Sequence, residues 1–261
     1  MSDRIIDAHI HLDRYAPDDR SLILNNMNDN GVDALVSVSG DLDSAQKNLQ
    51  MSRDDSRVKP AIGFHPEQEL PTDEDVADLL ALMDRHRYDM VAVGEIGLPY
   101  YLEQEGRIAS REAYMEVLEA FIQKAVELDK PIALHAVFDD APMVCDLLET
   151  YSTSKAHFHW FKGDWRTTER MYRNGYLVSV TPDILYKTKT RNLAATYPLE
   201  KLMVETDGPW PFEGTFKGKM THPAMIHQSV QEVAALKQMS VGEVYDELYN
   251  NTCHFYELNT G

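Results

Sequence analysis

The sequence predicts an α/β chain folded as a closed (β/α)8, or TIM, barrel followed by C-terminal helices. Three observations predict it. Eight apolar runs of strand length alternate with helix-length stretches almost without a break, the pattern of a parallel sheet. Eight such units occupy 261 residues, close to the roughly 250 of an ordinary barrel of this kind. Finally, residues suited to metal ligation stand at or just past the ends of those runs, where barrels carry their active sites. No Gly-x-Gly-x-x-Gly follows the first run, so an open dinucleotide-binding sheet lacks its main signal. No Pro-, Gly- or Ser-rich linker, repeat or low-complexity tract divides the chain, and residues 1–261 are expected to form a single domain.

Strands are expected at Arg4–Ala8, Val32–Ser39, Val58–Phe64, Met90–Ile96, Pro131–Ala136, Lys155–Phe158, Tyr176–Val180 and Lys201–Glu205. Each is short, apolar and bounded by polar or turn-forming residues. Helices are expected over Asp18–Asn30, Leu42–Arg53, Thr72–His86, Ser110–Leu128, Asp140–Tyr151, Trp165–Asn174 and Pro182–Thr196. Ser110–Leu128 is the clearest. Tyr114, Val117, Leu118, Phe121 and Ala125 recur at helical spacing, and Ser110 can accept from the free N–H groups of the first turn. Two helices close the chain, Pro223–Leu236 and Val241–Leu258. Ser240, with Glu243 three residues on, fits a capping box for the second.

Hydrophobic residues make up 43% of the chain, enough for a large core. Lys and Arg total 25 against 43 Asp and Glu, a net charge of -18, which repels nucleic acid and anionic membrane at long range. Bound metal ions would add local positive charge that this count omits. Cys145 and Cys253 lie far apart in sequence and lack Cys-x-x-Cys spacing, so free thiols in a reducing compartment are expected. The chain enters a strand at once after Met1-Ser2-Asp3, without a secretory signal, and no apolar stretch is long enough to span a membrane. A cytoplasmic protein is expected.

His9, His11, Glu95, His135, His159 and Asp207 form a candidate set of metal ligands. On an extended strand, alternate side chains share a face, so His9 and His11 of Asp7-Ala8-His9-Ile10-His11 can chelate one ion. Glu95 ends Val91-Ala92-Val93-Gly94, where a buried carboxylate is costly unless paired or metal-bound. His135 ends Pro131-Ile132-Ala133-Leu134 in the same manner, and Asp207 follows Val204-Glu205-Thr206. His157 and His159 share a strand face; position favours His159. Each residue alone has a plainer reading, as a rim salt bridge or a satisfied core histidine. All six at strand ends of one barrel point to one or two divalent ions, with Zn, Mg or Mn all suited to such donors. His65, ending the third strand, is a candidate substrate contact, and Lys162 a candidate anion grip.

The chain resembles the TatD family of metal-dependent hydrolases, among the amidohydrolase-like barrels. The resemblance is carried by Asp7-Ala8-His9-Ile10-His11-Leu12-Asp13, Gly63-Phe64-His65-Pro66, Gly94-Glu95-Ile96-Gly97-Leu98, Leu134-His135, His159-Trp160-Phe161-Lys162-Gly163-Asp164 and Glu205-Thr206-Asp207-Gly208-Pro209. It implies that His9, His11 and Asp207 bind one metal, that Glu95 bridges two, and that His135 and His159 bind the second. Pro99, Val137, Trp160, Lys162 and His222 stand where the family often has Asp, Arg, Cys, Ser and Asn.

The expected function is therefore hydrolysis by metal-activated water, with Asp207 as the base that accepts its proton. By resemblance the substrate is DNA, attacked at an end or in a single strand, which would make the chain a deoxyribonuclease. The first alternative is a small amide, lactone or phosphate ester in the same site. A second is a scaffold subunit of a larger assembly, which would have no need of a six-residue ligand set.

Overall fold

Each strand run is buried on both faces, so it needs cover inside and outside, and the fold supplies both. The computed structural model describes residues 3–258, so the outermost ends of the expected single domain lie outside the described residues. Eight parallel strands follow in sequence order: β1 (Ile5–Ile10), β2 (Val32–Ser37), β3 (Val58–Ile62), β4 (Ala92–Gly97), β5 (Ile132–His135), β6 (Ala156–Phe158), β7 (Leu177–Val180) and β8 (Leu202–Val204). Helices α1 (Pro17–Asn26), α2 (Leu42–Asp54), α3 (Asp73–Arg85), α4 (Tyr100–Gln104), α5 (Arg111–Glu127), α6 (Asp140–Thr150), α7 (Trp165–Arg173) and α8 (Thr188–Thr196) alternate with them. α9 (Ile226–Lys237) and α10 (Val241–Phe255) complete the chain. The expected (β/α)8 architecture is the observed one. No helix among the described residues is long and apolar enough to cross a membrane.

Local chemistry sets the boundaries. Ser110 and Ser240 accept from the third N–H of α5 and α10, and the Ser240–Glu243 capping box is present. Thr72 and Asp75 make a second box on α3. The expected helix Asp18–Asn30 ends at Asn26 and gives way to a 3-10 turn, Asn28–Asn30, closed by Gly31 in the left-handed region. The expected Pro182–Thr196 divides into a 3-10 turn, Pro182–Leu185, and α8, because Tyr186 and Lys187 leave the helical conformation. The short α4 carries no recognisable sequence signal.

Two apolar layers follow from strand alternation. Outward residues such as Ile62, Val93, Leu134, Phe158, Val178 and Val204 pack against the helices. Inward residues are smaller: Ala34, Ala61, Ala92 and Ala133 join Ile6, Ala8 and Met203, with Tyr256 and Leu258 packed against the same cluster. Polar groups occupy the rest of the interior. His157 contacts Tyr256 Oη and Ser179 Oγ, each at 2.7 Å, and Ser179 Oγ donates to Glu205 at 2.5 Å.

Bulges aim two strands. Asp7 pairs with Leu35 and Ile10 with Ser37, three residues on β1 against two on β2. Val93 pairs with Ile132 and Ile96 with Leu134, again three against two. An extra residue inverts the alternation beyond it. Without the second bulge Glu95 would share the outward face of Val93; with it, Glu95 turns inward and Ile96 packs outward. The first does the same for His9 and His11. Gly63 permits the close approach at β4, since a Cβ there would lie 2.6 Å from the Gly94 carbonyl carbon.

The seam between β8 and β1 closes beside these residues. Asp207 N donates to His9 O at 2.9 Å, and His11 N to Gly208 O at 2.8 Å. The fully buried Asp7 carboxylate accepts from Thr206 N (2.9 Å), from the Thr206 hydroxyl and from His9 N (3.3 Å). Burial pushes the Asp7 pKa up to about 8 against the pull of the Thr206 bonds. Folding therefore binds a proton here. Its contribution to stability is whole below the ordinary carboxylate pKa of 3.8 and is lost as pH rises through about 8. Asp7→Asn cannot ionise, so its melting temperature should fall less than the wild type's between about pH 5 and about pH 8. Parallel curves in thermal denaturation would remove Asp7 from this account. Asp7→Ala should cost on the order of 2–4 kcal/mol, because each N–H left unpaired costs roughly 1–3.

Candidate metal centre

Five imidazoles surround the Glu95 carboxylate, which has no exposed surface. Its two oxygens face different groups. Oε2 lies 3.2 Å from His9 Nε2, 3.2 Å from His11 Nε2 and 3.6 Å from His65 Nε2. Oε1 lies 2.9 Å from His135 Nδ1 and 2.8 Å from His159 Nε2. Asp207 Oδ1 completes the first group, 3.6 Å from His9 Nε2 and 3.4 Å from His11 Nε2. The rings of His9 and His159 stack at 3.8 Å between centroids, so the groups adjoin. All six candidate ligands therefore meet in one place, although up to 198 positions separate them in sequence.

The electrostatics call for positive charge. Burial disfavours charge on every one of these side chains. It is outweighed at His11, which the carboxylates of Asp207 and Glu95 lift to about 9. His159 rises well above its ordinary value beside Glu95 and Glu205, and His135 rises beside Glu67 and Glu95. His9 falls, through burial and the neighbouring His159, and burial also holds His65 well below its ordinary value. Burial would raise Glu95 and Asp207, yet the surrounding histidines pull both down. Two ionised carboxylates thus gather protons onto nitrogens that converge on one space. Divalent ions fit that donor set, since they supply the same charge while neutral imidazoles turn their lone pairs to them. His9–His11–Glu95, His9–His159–Asp207 and His65–Glu95–His135 each bring three ligand atoms within 4.8 Å of one another.

The pocket above has a volume of about 760 Å³ and opens between Arg14, His65, Glu67, Tyr101, Lys162 and Trp210. Lys162 lies on the pocket wall, with Nζ 3.9 Å from the Trp160 ring centroid and 3.5 Å from Tyr101 Oη. Trp160 forms a wall with Trp210 and Phe212, each 6.0 Å away between centroids. Its backbone is in the left-handed region (φ 37°), unusual for a bulky residue. It is held there by N–H donation to Glu205 Oε1 at 2.7 Å and by indole donation to Asp183 Oδ2 at 2.8 Å. Asp207 also has a positive φ (50°), which aspartate tolerates better. His222 is spent elsewhere, accepting from Ala224 N at the turn Pro223–Met225. Glu67, Tyr101, Arg14 and Arg107 line the pocket without a prior signal in the sequence.

The sequence model of the family described as TatD related DNase matches residues 6–257. A Haemophilus influenzae relative, described as an uncharacterized metal-dependent hydrolase, is 34% identical over 255 residues, covering 97% of this chain and all of its own. The chain belongs to the TatD family of metal-dependent hydrolases. Human deoxyribonuclease TATDN3 is 29% identical over 263 residues, covering 97% of this chain and 94% of that one. The crystal structure of YJJV, a TatD homolog from Escherichia coli, matches with a TM-score of 0.89 at 25% identity, over 99% of this chain and all of that one. A dihydroorotase from Campylobacter jejuni, at 14% identity and a TM-score of 0.63, shares the fold.

For this TatD-family centre, the double substitution His9→Ala with His11→Ala should lower bound divalent metal and abolish turnover while circular dichroism stays native, because ligands at strand ends serve the site rather than the core. Full metal content and activity in the double variant would refute the assignment. Protons and metal compete for the same nitrogens, so apparent affinity should rise with pH until His11 has titrated at about 9. Calorimetry in buffers of different ionisation enthalpy should show proton release on binding; no release would contradict the competition.

Proposed function

We propose that this chain is a divalent-metal-dependent deoxyribonuclease that hydrolyses phosphodiester bonds at DNA ends or in single strands. The observation that carries the reading is the six-residue donor set at the floor of an open pocket rimmed by cations and aromatic rings. The human relative named a deoxyribonuclease supports it. In this reading His9, His11 and Asp207 would hold one ion and His135 and His159 a second, with Glu95 offering an oxygen to each set. Bound divalent ions supply Lewis acidity and lower the pKa of a water from about 16 towards 7.

The side chains do the remaining work. Asp207, whose carboxylate stays ionised beside His11, accepts the proton of the attacking water. His65 Nδ1 accepts from Glu67 N–H at 3.1 Å, which places its proton on Nε2, 3.6 Å from Glu95 Oε2 at the floor of the pocket. A neutral N–H donor there can stabilise charge that develops on a substrate oxygen. Lys162, half-buried and laid on Trp160, supplies a cation where Val137 offers none. Bases of a frayed strand can stack on Trp210 and Tyr101, both exposed at the rim. The net charge of -18 opposes tight duplex binding. The apolar wall of Val137, Trp160 and Trp210 favours one second reading, a small phosphate ester, amide or lactone in the same pocket.

Labelled single- and double-stranded oligomers, incubated with Mg²⁺, Mn²⁺ or Zn²⁺ and with a chelator control, separate the readings. Metal-dependent release of nucleotides from single strands and frayed ends is expected, with little affinity for intact duplex. Asp207→Asn should lower kcat by roughly 10²–10⁴-fold with metal content measured in the same sample. Lys162→Ala should raise KM more than it lowers kcat if Lys162 grips only the ground state. No cleavage above the Asp207→Asn blank, alongside turnover of a small ester, amide or lactone, would reject the nuclease and favour the second reading.

A further inference from the structure

Four of the five rings around Glu95 turn Nε2 towards it: His9, His11, His65 and His159. His135 turns Nδ1. The cause lies on the far side of its ring, where His135 Nε2 stands 3.2 Å from Glu67 Oε1. Glu67 follows β3, 68 positions before His135. Its carboxylate is fixed independently of the histidine. It accepts from Tyr101 N at 2.8 Å and Leu102 N at 2.9 Å, two N–H groups of the first turn of α4. Its own N–H donates to His65 Nδ1 at 3.1 Å.

These bonds assign two tautomers in opposite senses. A carboxylate only accepts, so the His135 nitrogen that meets Glu67, Nε2, keeps its proton, and it is Nδ1 that would give up the proton drawn by Glu95 and turn its lone pair to an ion in the centre. A backbone N–H only donates, so His65 Nδ1 is bare and its proton sits on Nε2. One ring is thereby fitted to bind an ion and the other to donate a hydrogen bond. We propose that Glu67 is a positioning residue that sets both: its carboxylate makes His135 a ligand through Nδ1, and its N–H keeps His65 a donor. The proposal rests on the reading of His135 as a metal ligand. A carboxylate behind a ligating histidine fixes ring orientation and raises basicity, and its loss typically costs 10–100-fold in metal affinity.

The alternative is that Glu67 only ties α4 to the barrel. Glu67→Gln separates the two when the Tyr101 and Leu102 amide shifts are read beside zinc affinity, because the amide keeps the size and one of the two oxygens that hold α4 but lacks the charge that holds the His135 proton. The test uses zinc alone as probe, with long-range ¹H–¹⁵N correlation of the histidines in the zinc-loaded protein. In the wild type, His135 should carry zinc on Nδ1 and a proton on Nε2, and His65 a proton on Nε2. In Glu67→Gln and Glu67→Ala, the weaker zinc site should lose about 10–100-fold in affinity. His65 should keep its pattern in both, since the backbone N–H remains. Should Glu67→Ala fail to fold, the near-isosteric Glu67→Gln carries the test. Zinc on His135 Nε2, or wild-type affinity in Glu67→Gln, overturns the role of Glu67. A wild type that binds no zinc overturns instead the metal-centre reading on which it rests.

Discussion

A single buried carboxylate organises the site. Glu95 has no access to water, and an isolated ionised carboxylate in that position would cost far more than a folded domain can supply. Its charge must be met, and five imidazole nitrogens within 3.6 Å meet it. Those nitrogens come from four strand ends, so the barrel has to close in register before the carboxylate is satisfied. The bulge in β4 makes this arrangement available, because regular alternation would point Glu95 at the helices. The bulge in β1 does the corresponding service for His9 and His11. The seam beside them is held by the backbones of His9, His11, Asp207 and Gly208, so the bonds that join the last strand's end to the first also place these side chains.

The same constraint explains the interior. Small side chains such as Ala34, Ala61, Ala92 and Ala133 fill part of the lumen, where a barrel commonly has larger branched ones. The space they leave is taken by polar groups. His157, Ser179 and Glu205 form a buried chain from Tyr256 near the end of α10 to His159. Such a chain is costly if any member lacks a partner and specifies a unique arrangement when all are bonded. Glu67 and Glu205 stand behind His135 and His159 respectively, one from the β3 loop and one from the end of β8. The two imidazoles facing Glu95 Oε1 are thus each backed by a second carboxylate, and the raised affinity of both rings for protons follows.

Much of this was legible in the sequence. Eight apolar runs separated by helical stretches suffice for the barrel, and period-two spacing suffices to place His9 and His11 on one face. Spacing did not disclose which face. That depends on the bulges, which arise from pairing between strands and leave no local mark. α4 was not legible because its five residues are held partly by Glu67, a contact across more than thirty positions. The opposite roles of the two rings next to Glu67 were hidden for the same reason. His222, which stands where the family often has Asn, uses Nδ1 to cap a turn by accepting from Ala224 N, a local contact that residue type alone does not disclose. What sequence reasoning misses is contact between distant segments; what it finds is periodicity and residue chemistry.

Metal stoichiometry of Glu95→Gln tests the central claim most directly. The amide keeps the size of the side chain and removes the charge around which the nitrogens gather. Elemental analysis of wild type and variant, both shown to be folded, should give up to two divalent ions per chain for the wild type and loss of binding at both positions in Glu95→Gln. A folded variant that retains the wild-type stoichiometry would contradict the account, because the histidines and Asp207 would then hold metal without the carboxylate between them.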